Sequence, residues 1–184
     1  MNYPMQSILF LVKTLGDLYV MTFILRFVLQ WVRADFYNPL AQFVVRATNP
    51  LVVPARRLIP SAGGVDLPTL VVMVLLEAGL IWIMFTLVSI TVAPGAFFLY
   101  VIMRLISTTL YLYMLSIFLY VILSWVAPGG YHPIGRVLAD LNEPLLAPVR
   151  RVLPPIAGLD LAPMLVIILI IAARLALPLP PFLQ

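Results

Sequence analysis

Four long apolar stretches constrain what this chain can fold into. They cover about residues 6–32, 67–93, 96–126 and 161–177, and each of the last three contains a single charged residue. Since a helix needs roughly 20 mainly apolar residues to cross a bilayer, we expect four transmembrane helices. The composition agrees, because 10% of the residues are charged, against about 25% in soluble domains. The chain is therefore predicted to be an all-α integral membrane protein.

Two linkers, residues 33–66 and 127–160, separate these stretches. They hold seven of the eleven basic residues. Between the second and third spans, Pro94-Gly95 predicts a tight turn. With four spans, both linkers lie on one side of the membrane and both termini on the other. The positive-inside rule then predicts that the linkers are cytoplasmic and that both termini are outside.

The two linkers are copies of each other at an offset of 94 residues. The segment NPLVVPARRLIPSAGGVDLP (49–68) aligns with EPLLAPVRRVLPPIAGLDLA (143–162) without a gap. Apolar composition alone would not align prolines, arginines and an aspartate, so the offset indicates a duplication. The first repeat is predicted to cover residues 1–94 and the second 95–184. Because each repeat contains two spans, an even number, the copies are predicted to be parallel.

Each linker has the apolar periodicity of an amphipathic helix. Leu40, Phe43 and Val44 begin a stripe with helical spacing, and the second linker repeats this stripe 94 residues later. Pro50 and Pro54 fall where a helix would start or kink. Each linker is therefore predicted to form two short amphipathic helices in the membrane interface.

The repeated motif also carries a family resemblance. Two copies of N/E-P-L-x-x-P-x-R-R-x-hydrophobic-P, each followed by Gly and by Asp-Leu at the start of a span, resemble the YggT family, which includes the YlmG proteins. The two-copy layout matches the proteobacterial branch, which implies a multi-pass protein of the bacterial inner membrane. The resemblance implies links with osmotic stress and potassium uptake, with cell division, and in plastids with haem attachment. The haem role transfers least, because the chain lacks cysteine and its single histidine, His132, has no counterpart in the first repeat.

Two pairs of arginines, Arg56-Arg57 and Arg150-Arg151, occupy equivalent places in the linkers. They are candidates for binding anionic lipid headgroups or an acidic partner segment, because juxtamembrane basic residues attract anionic lipid by about 1 kcal/mol each. The alternative is a topology anchor whose arginines only hold the linkers at the interface.

Asp66 and Asp160 open the second and fourth apolar stretches at equivalent positions. We expect them to act as N-caps, since an aspartate accepts hydrogen bonds from the free N–H groups of the first helical turn. A salt bridge to the nearby arginines is a further expectation. A proteolytic dyad, in which two aspartates share one proton, is the less favoured alternative.

Four ionisable residues inside the predicted spans break the repeat: Lys13, Asp17, Glu77 and Arg104. A charge at the bilayer centre costs about 2.5–3.5 kcal/mol on insertion scales, so each should face a partner or water. Lys13 and Asp17 share a helix face, and Arg104 lies within reach of Glu77 in the predicted hairpin. The four residues form either a buried ion-pair cluster that fixes helix register or part of a cation or proton path.

The sequence offers no pattern typical of catalysis. It has no cysteine, no Gly-rich phosphate loop, no metal-ligand cluster and no Ser–His constellation, so we expect no catalytic residues, metal or cofactor. The leading hypothesis is a non-enzymatic scaffold or assembly factor for envelope or division-related processes, which binds anionic lipids and a membrane-protein partner or a second copy, but no nucleic acid. The alternative is a channel or transporter component for small cations. A pore would require an oligomer, because four spans enclose little volume.

Overall fold

The computed structural model describes residues 3–61, 64–126, 133–154 and 160–184, and these ranges are built from helices. The all-α class is therefore confirmed. The helices, in chain order, are α1 (Tyr3–Trp31), α2 (Pro39–Leu58), α3 (Leu67–Val88), α4 (Pro94–Val126), α5 (Pro133–Val152), α6 (Ala162–Leu175) and a short 3-10 helix, η1 (Pro181–Leu183).

Three of these helices are long and apolar enough to cross a membrane. They are α1, α3 and α4, with 29, 22 and 33 residues. Helix α6 is apolar but has only 14 residues, which gives about 21 Å at 1.5 Å per residue, less than the roughly 30 Å of a hydrocarbon core. The fourth span at 161–177 and the layout of four spanning helices in two repeats therefore stay predictions.

Helix α3 ends five residues before the predicted end of its span at residue 93. Ser89 adopts the left-handed conformation, with φ of 57°, and its backbone N–H donates to the carbonyls of Phe85 and Thr86. This geometry terminates a helix, because the next residue can no longer continue the i to i−4 pattern. Residues 89–93 then form the turn into α4, and this turn defines the hairpin end of the bundle.

Each linker contains one continuous helix of 20 residues, so the prediction of two short helices per linker was wrong. In α2 the buried stripe of Ala41, Val44 and Val52 runs through the proline-containing part, whereas Pro50 and Pro54 are exposed. The carbonyls that lose their N–H donors therefore lie near solvent, where the cost of an internal proline is reduced. Helix α5 begins and ends 94 residues after α2.

The linker helices define the other end of the bundle, the linker end. Helix α2 packs against α1 and α3, and α5 packs against α4 and α6. The two also meet each other, and the side-chain amide of Asn38 donates to the carbonyl of Pro133 at 2.6 Å. The same Asn38 is the N-cap of α2, so one residue starts the first linker helix and joins it to the second.

Helices α1 and α3 approach closely at Gly16. A Cβ atom placed on Gly16 would lie 2.5 Å from the Cδ1 atom of Leu80, well inside van der Waals contact. A larger residue would therefore displace the end of the Leu80 side chain, so glycine is favoured here by helix packing and not by an unusual backbone conformation.

The C-terminal segment after α6 packs at the hairpin end. Leu179 and Leu183 are buried in one apolar cluster with residues of α3 and α4. The ring of Phe182 stands edge-on to that of Phe85, with 5.5 Å between their centroids. The segment thus fills space near α3 and α4 beyond the point where the short helix α6 ends.

Candidate functional site

Arg104 joins three separate parts of the chain. Its Nε donates to Oε1 of Glu77 at 2.7 Å, its Nη1 donates to the carbonyl oxygen of Leu183 at 2.9 Å, and its Nη2 bonds Oδ1 of Asp17. Arg104 is 2% exposed and Glu77 is fully buried. Since guanidinium donors form a rigid fork, these bonds fix α4 against α1, α3 and the C-terminal segment.

Two more cations lie next to this cluster. The Nζ of Lys13 is 3.7 Å from Oδ2 of Asp17, and both side chains are partly exposed. The Nε of Arg174, in the last turn of α6, donates to Oγ of Ser107 at 3.3 Å, and its guanidinium carbon is 4.9 Å from the centre of the Tyr111 ring. Within the described ranges, no carboxylate lies within 4 Å of Arg174.

Lys13, Asp17, Arg104 and Arg174 line a cavity of about 300 Å³ between α1, α4, α6 and the C-terminal segment. With Glu77 bonded to Arg104 behind it, the structure brings together Lys13, Asp17, Glu77 and Arg104, the four residues selected inside the spans. Sequence reasoning did not select Arg174. Its signal was present in the sequence, because it is the single charged residue of the fourth apolar stretch.

A second polar cluster lies at the linker end around Asp66. Asp66 is the N-cap of α3: its side chain accepts a hydrogen bond from the backbone N–H of Thr69 and another from the Thr69 hydroxyl at 2.8 Å. Nη2 of Arg56 donates to Oδ2 of Asp66 at 2.7 Å, the oxygen that also accepts from the Thr69 hydroxyl. Burial alone would raise the pKa of Asp66, but the hydrogen bonds from Arg56 and Thr69 hold it below its ordinary value. An ionised Asp66 therefore ties the end of α2 to the start of α3.

Arg26 supports this cluster from α1, and sequence reasoning missed it. Its Nη1 donates to the Thr48 hydroxyl at 2.5 Å and to the Asn49 side-chain oxygen at 2.9 Å, and its Nε is 3.9 Å from Asp66. The residue is 5% exposed. Its signal was an arginine in the first apolar stretch, where the second repeat has Tyr120.

The second repeat contains the equivalent ion pair. Nε of Arg150 donates to Oδ2 of Asp160 at 2.9 Å, and its Nη1 donates to Glu143 at the same distance. Burial alone would lower the pKa of Arg150, but its hydrogen bonds with Asp160 and Tyr120 raise it above its ordinary value. Each aspartate is thus paired with the arginine of its own repeat instead of with the other aspartate.

The cap of α6 differs from the prediction. Leu161, not Asp160, is the N-cap residue, because the carbonyl of Leu161 accepts the first helical hydrogen bond from Leu165. Asp160 precedes the cap and accepts from the backbone N–H of Ala162 at 3.0 Å.

The structure divides each arginine pair into two different environments. Arg56 and Arg150 are held by aspartates, whereas Arg57 and Arg151 are exposed. In the part of the chain that the structure describes, neither exposed arginine has a carboxylate within 4 Å. His132, the remaining titratable residue considered above, lies outside the described residues.

Comparison with known proteins identifies the family. Residues 5–90 and 99–180 match the CCB3/YggT family. The chain belongs to this family. The resemblance noted in the repeated motif is therefore confirmed, and each matched segment lies within one of the two predicted repeats.

Curated relatives of this CCB3/YggT chain cover most of its length. An uncharacterized protein of Pseudomonas aeruginosa is 43% identical over 84% of this chain and 80% of its own. An uncharacterized protein of Vibrio alginolyticus is 42% identical, over 94% of this chain and 92% of its own. The Escherichia coli K12 protein YggT is 36% identical over 90% of this chain and 86% of its own. No solved structure has significant similarity to the chain.

Proposed function

We propose that this CCB3/YggT protein is a non-enzymatic, multi-pass protein of the bacterial inner membrane. It uses the C-terminal ends of α2 and α5 to bind anionic lipid headgroups and an acidic segment of a membrane-protein partner or of a second copy. This binding serves assembly in envelope or division-related processes. One observation carries the proposal: Arg57 and Arg151 are exposed at equivalent ends of two amphipathic helices, and no described carboxylate neutralises them.

The fixed neighbours of these arginines support a binding role. Asp66 holds Arg56, and Asp160 holds Arg150, so the last turn of each linker helix is tied to the start of the next apolar helix. Arg57 and Arg151 therefore project from anchored backbone, which reduces the ordering cost of binding an anion. A topology anchor alone would need the charges but not this attachment.

The internal charges are less suited to a cation path, which makes a channel or transporter component the second choice. Arg104 already occupies both Asp17 and Glu77, so a permeating cation would have to displace a buried guanidinium. We expect vesicles containing the protein to be silent in potassium flux measurements. A potassium flux that disappears in Glu77→Gln would contradict the scaffold proposal and favour the channel.

Lipid binding is tested with the full-length protein in vesicles of phosphatidylcholine with added phosphatidylglycerol. The double variant Arg57→Gln/Arg151→Gln should bind phosphatidylglycerol at the linker end about 30-fold more weakly, from about 1 kcal/mol per arginine. The control Arg33→Gln/Arg46→Gln removes two exposed linker charges elsewhere and should change binding little. An equal loss in both variants would show that only total charge matters, and would overturn the proposal.

Partner binding is tested by photo-crosslinking in cells. A photoreactive residue replaces Leu58 or Val152, which are 85% and 86% exposed next to the two arginines. Crosslinks to an acidic segment of a membrane protein, or to a second copy, should disappear when Arg57 and Arg151 are replaced by glutamine. Crosslinks that persist in that variant would count against recognition by these arginines.

A further inference from the structure

The cavity at Lys13 and Arg174 exists because of how the chain ends its last apolar helix. Helix α6 stops at Leu175, and the following segment packs on α3 and α4 through Leu179 and Leu183. The space between α1, α4 and the end of α6 is therefore left as the cavity of about 300 Å³.

The side-chain charges around this cavity do not balance. Among the described side chains at or next to the cavity, Lys13, Arg104 and Arg174 are three cations, whereas Asp17 and Glu77 are two carboxylates. Asp17 and Glu77 are paired with Arg104, and Asp17 also with Lys13, so the surplus falls on Arg174, which has no carboxylate within 4 Å among the described residues. A cation in a low-dielectric setting is costly without a counter-charge, and the site therefore favours an anion.

An apolar groove adjoins the cavity on the side of the linker end. Leu18 and Met21 line both the cavity and the groove, which has a volume of about 230 Å³. The groove runs between α1 and α4 past Leu25, Leu112 and Leu115, and α2 and α5 close its far end. The step from Leu18 to Leu25 corresponds to about 10 Å along the helix.

We propose that cavity and groove together bind one anionic phospholipid of the surrounding bilayer. Its phosphate lies against Lys13 and Arg174, and one acyl chain lies in the groove beside Leu25 and Leu115. The side-chain charge surplus at Arg174 favours an anionic headgroup, and the apolar groove next to the cationic cavity favours an amphiphile over a soluble anion. The site is at the opposite end of the groove from the linker helices and does not depend on Arg57 or Arg151.

The test uses phosphatidylglycerol with a photoreactive group in one acyl chain, in vesicles that contain the full-length protein. Peptides that carry Leu25, Leu112 or Leu115 should be labelled more by this lipid than by phosphatidylcholine with the same chain. Arg174→Gln should reduce the preference about tenfold, as expected for the loss of a hydrogen bond to a charged group, whereas Arg174→Lys should retain most of it. Equal labelling by the two lipids, or a preference unchanged in Arg174→Gln, would overturn the proposal.

A second pair of variants tests the groove by placing the same residue type at two positions of α4. Leu115→Trp places a bulky ring in the groove and should abolish labelling there, whereas Ile122→Trp, on the same helix outside the groove, should not. Labelling of groove peptides that survives Leu115→Trp would contradict the position of the chain. Competition by soluble glycerol phosphate that matches the competition by unlabelled phosphatidylglycerol would show a site for soluble anions and would also overturn the proposal.

Discussion

Glu77 and Arg104 form a buried ion pair of 2.7 Å between the two helices of the α3–α4 hairpin. Arg104 also bonds Asp17 of α1 and the carbonyl of Leu183, so a single side chain connects most of the hairpin end. An interaction of this kind contributes more to the register of the helices than to net stability, because desolvation of the charges offsets much of their attraction. Removing only one partner of the ion pair is nevertheless costly, because the other charge then stays buried without a counter-charge.

We expect Arg104→Met to lower the free energy of unfolding by about 3–5 kcal/mol, because it leaves Glu77 and Asp17 without their cation. Glu77→Gln should cost less, since Arg104 keeps Asp17 and the Leu183 carbonyl. Lys13→Met, which removes a partly exposed 3.7 Å contact, should cost under about 1 kcal/mol. Unfolding titrations in mixed micelles measure this order, and a Lys13→Met variant as unstable as Arg104→Met would contradict it.

Asp66 predicts an acid sensitivity of the linker end. Its pKa is lower in the folded protein than the ordinary value of 3.8, so its stabilising contribution is present above that pH. The contribution is lost as the pH falls through the lower, folded pKa. The free energy of unfolding, measured as the pH is lowered from 6, should therefore show a decrease that is absent in Asp66→Asn. Arg56→Gln removes the main hydrogen bond that lowers this pKa, so the loss should move to higher pH; an unchanged profile in both variants would refute this role.

The approach of α1 to α3 predicts that a side chain at Gly16 displaces Leu80. Gly16→Ala should destabilise the protein by about 1–3 kcal/mol, because the new methyl group would overlap Leu80. Gly79→Ala is the matched control, since nothing lies within 4 Å of a Cβ at that helical position. Thermal unfolding in detergent should separate the two, and Leu80→Ala should recover part of the loss in the Gly16→Ala background. Equal effects at Gly16 and Gly79 would show that the close approach does not matter.

The contacts of the C-terminal segment make a prediction about topology. Leu183 bonds Arg104 and packs near Val101, so the C-terminal segment lies at the same end as the α3–α4 turn. Reporter fusions at residue 95 and after residue 184 should therefore give the same side, and the basic linkers predict that this side is outside. A cytoplasmic signal at residue 95 would refute the orientation. Opposite signals at the two positions would contradict the packing of the C-terminal segment.

Much of the internal charge cluster could be predicted from the sequence. Burial of a charge in lipid is costly, so few ionisable residues occur in the apolar stretches. Few ion pairs are therefore possible among them, which is why the sequence indicated the group Lys13, Asp17, Glu77 and Arg104. The ion pairs Arg56–Asp66 and Arg150–Asp160 followed similarly from repeated spacing. What these groups bind stays a prediction.

Other features depend on tertiary contacts that local patterns do not contain. Pro50 and Pro54 indicate helix ends by local rules, yet α2 continues through them because they lie on its exposed face. The carbonyl of Leu183 is far from Arg104 in the sequence, and no side-chain pattern marks a backbone acceptor. Arg26 bonds Thr48 and Asn49 of α2, uncharged residues whose approach to α1 no local pattern indicates.

The short turn between α3 and α4 has a consequence for biogenesis. Glu77 alone would oppose the entry of α3 into the bilayer, because an isolated carboxylate at mid-depth costs a few kcal/mol at the translocon. Arg104 follows Glu77 by 27 residues, which are the rest of α3, the five turn residues and the first turns of α4, so acid and base can leave the translocon together as a neutralised hairpin. We therefore expect the nascent α3 to stay at the translocon until α4 has been synthesised, and the two helices to enter the lipid as one insertion unit.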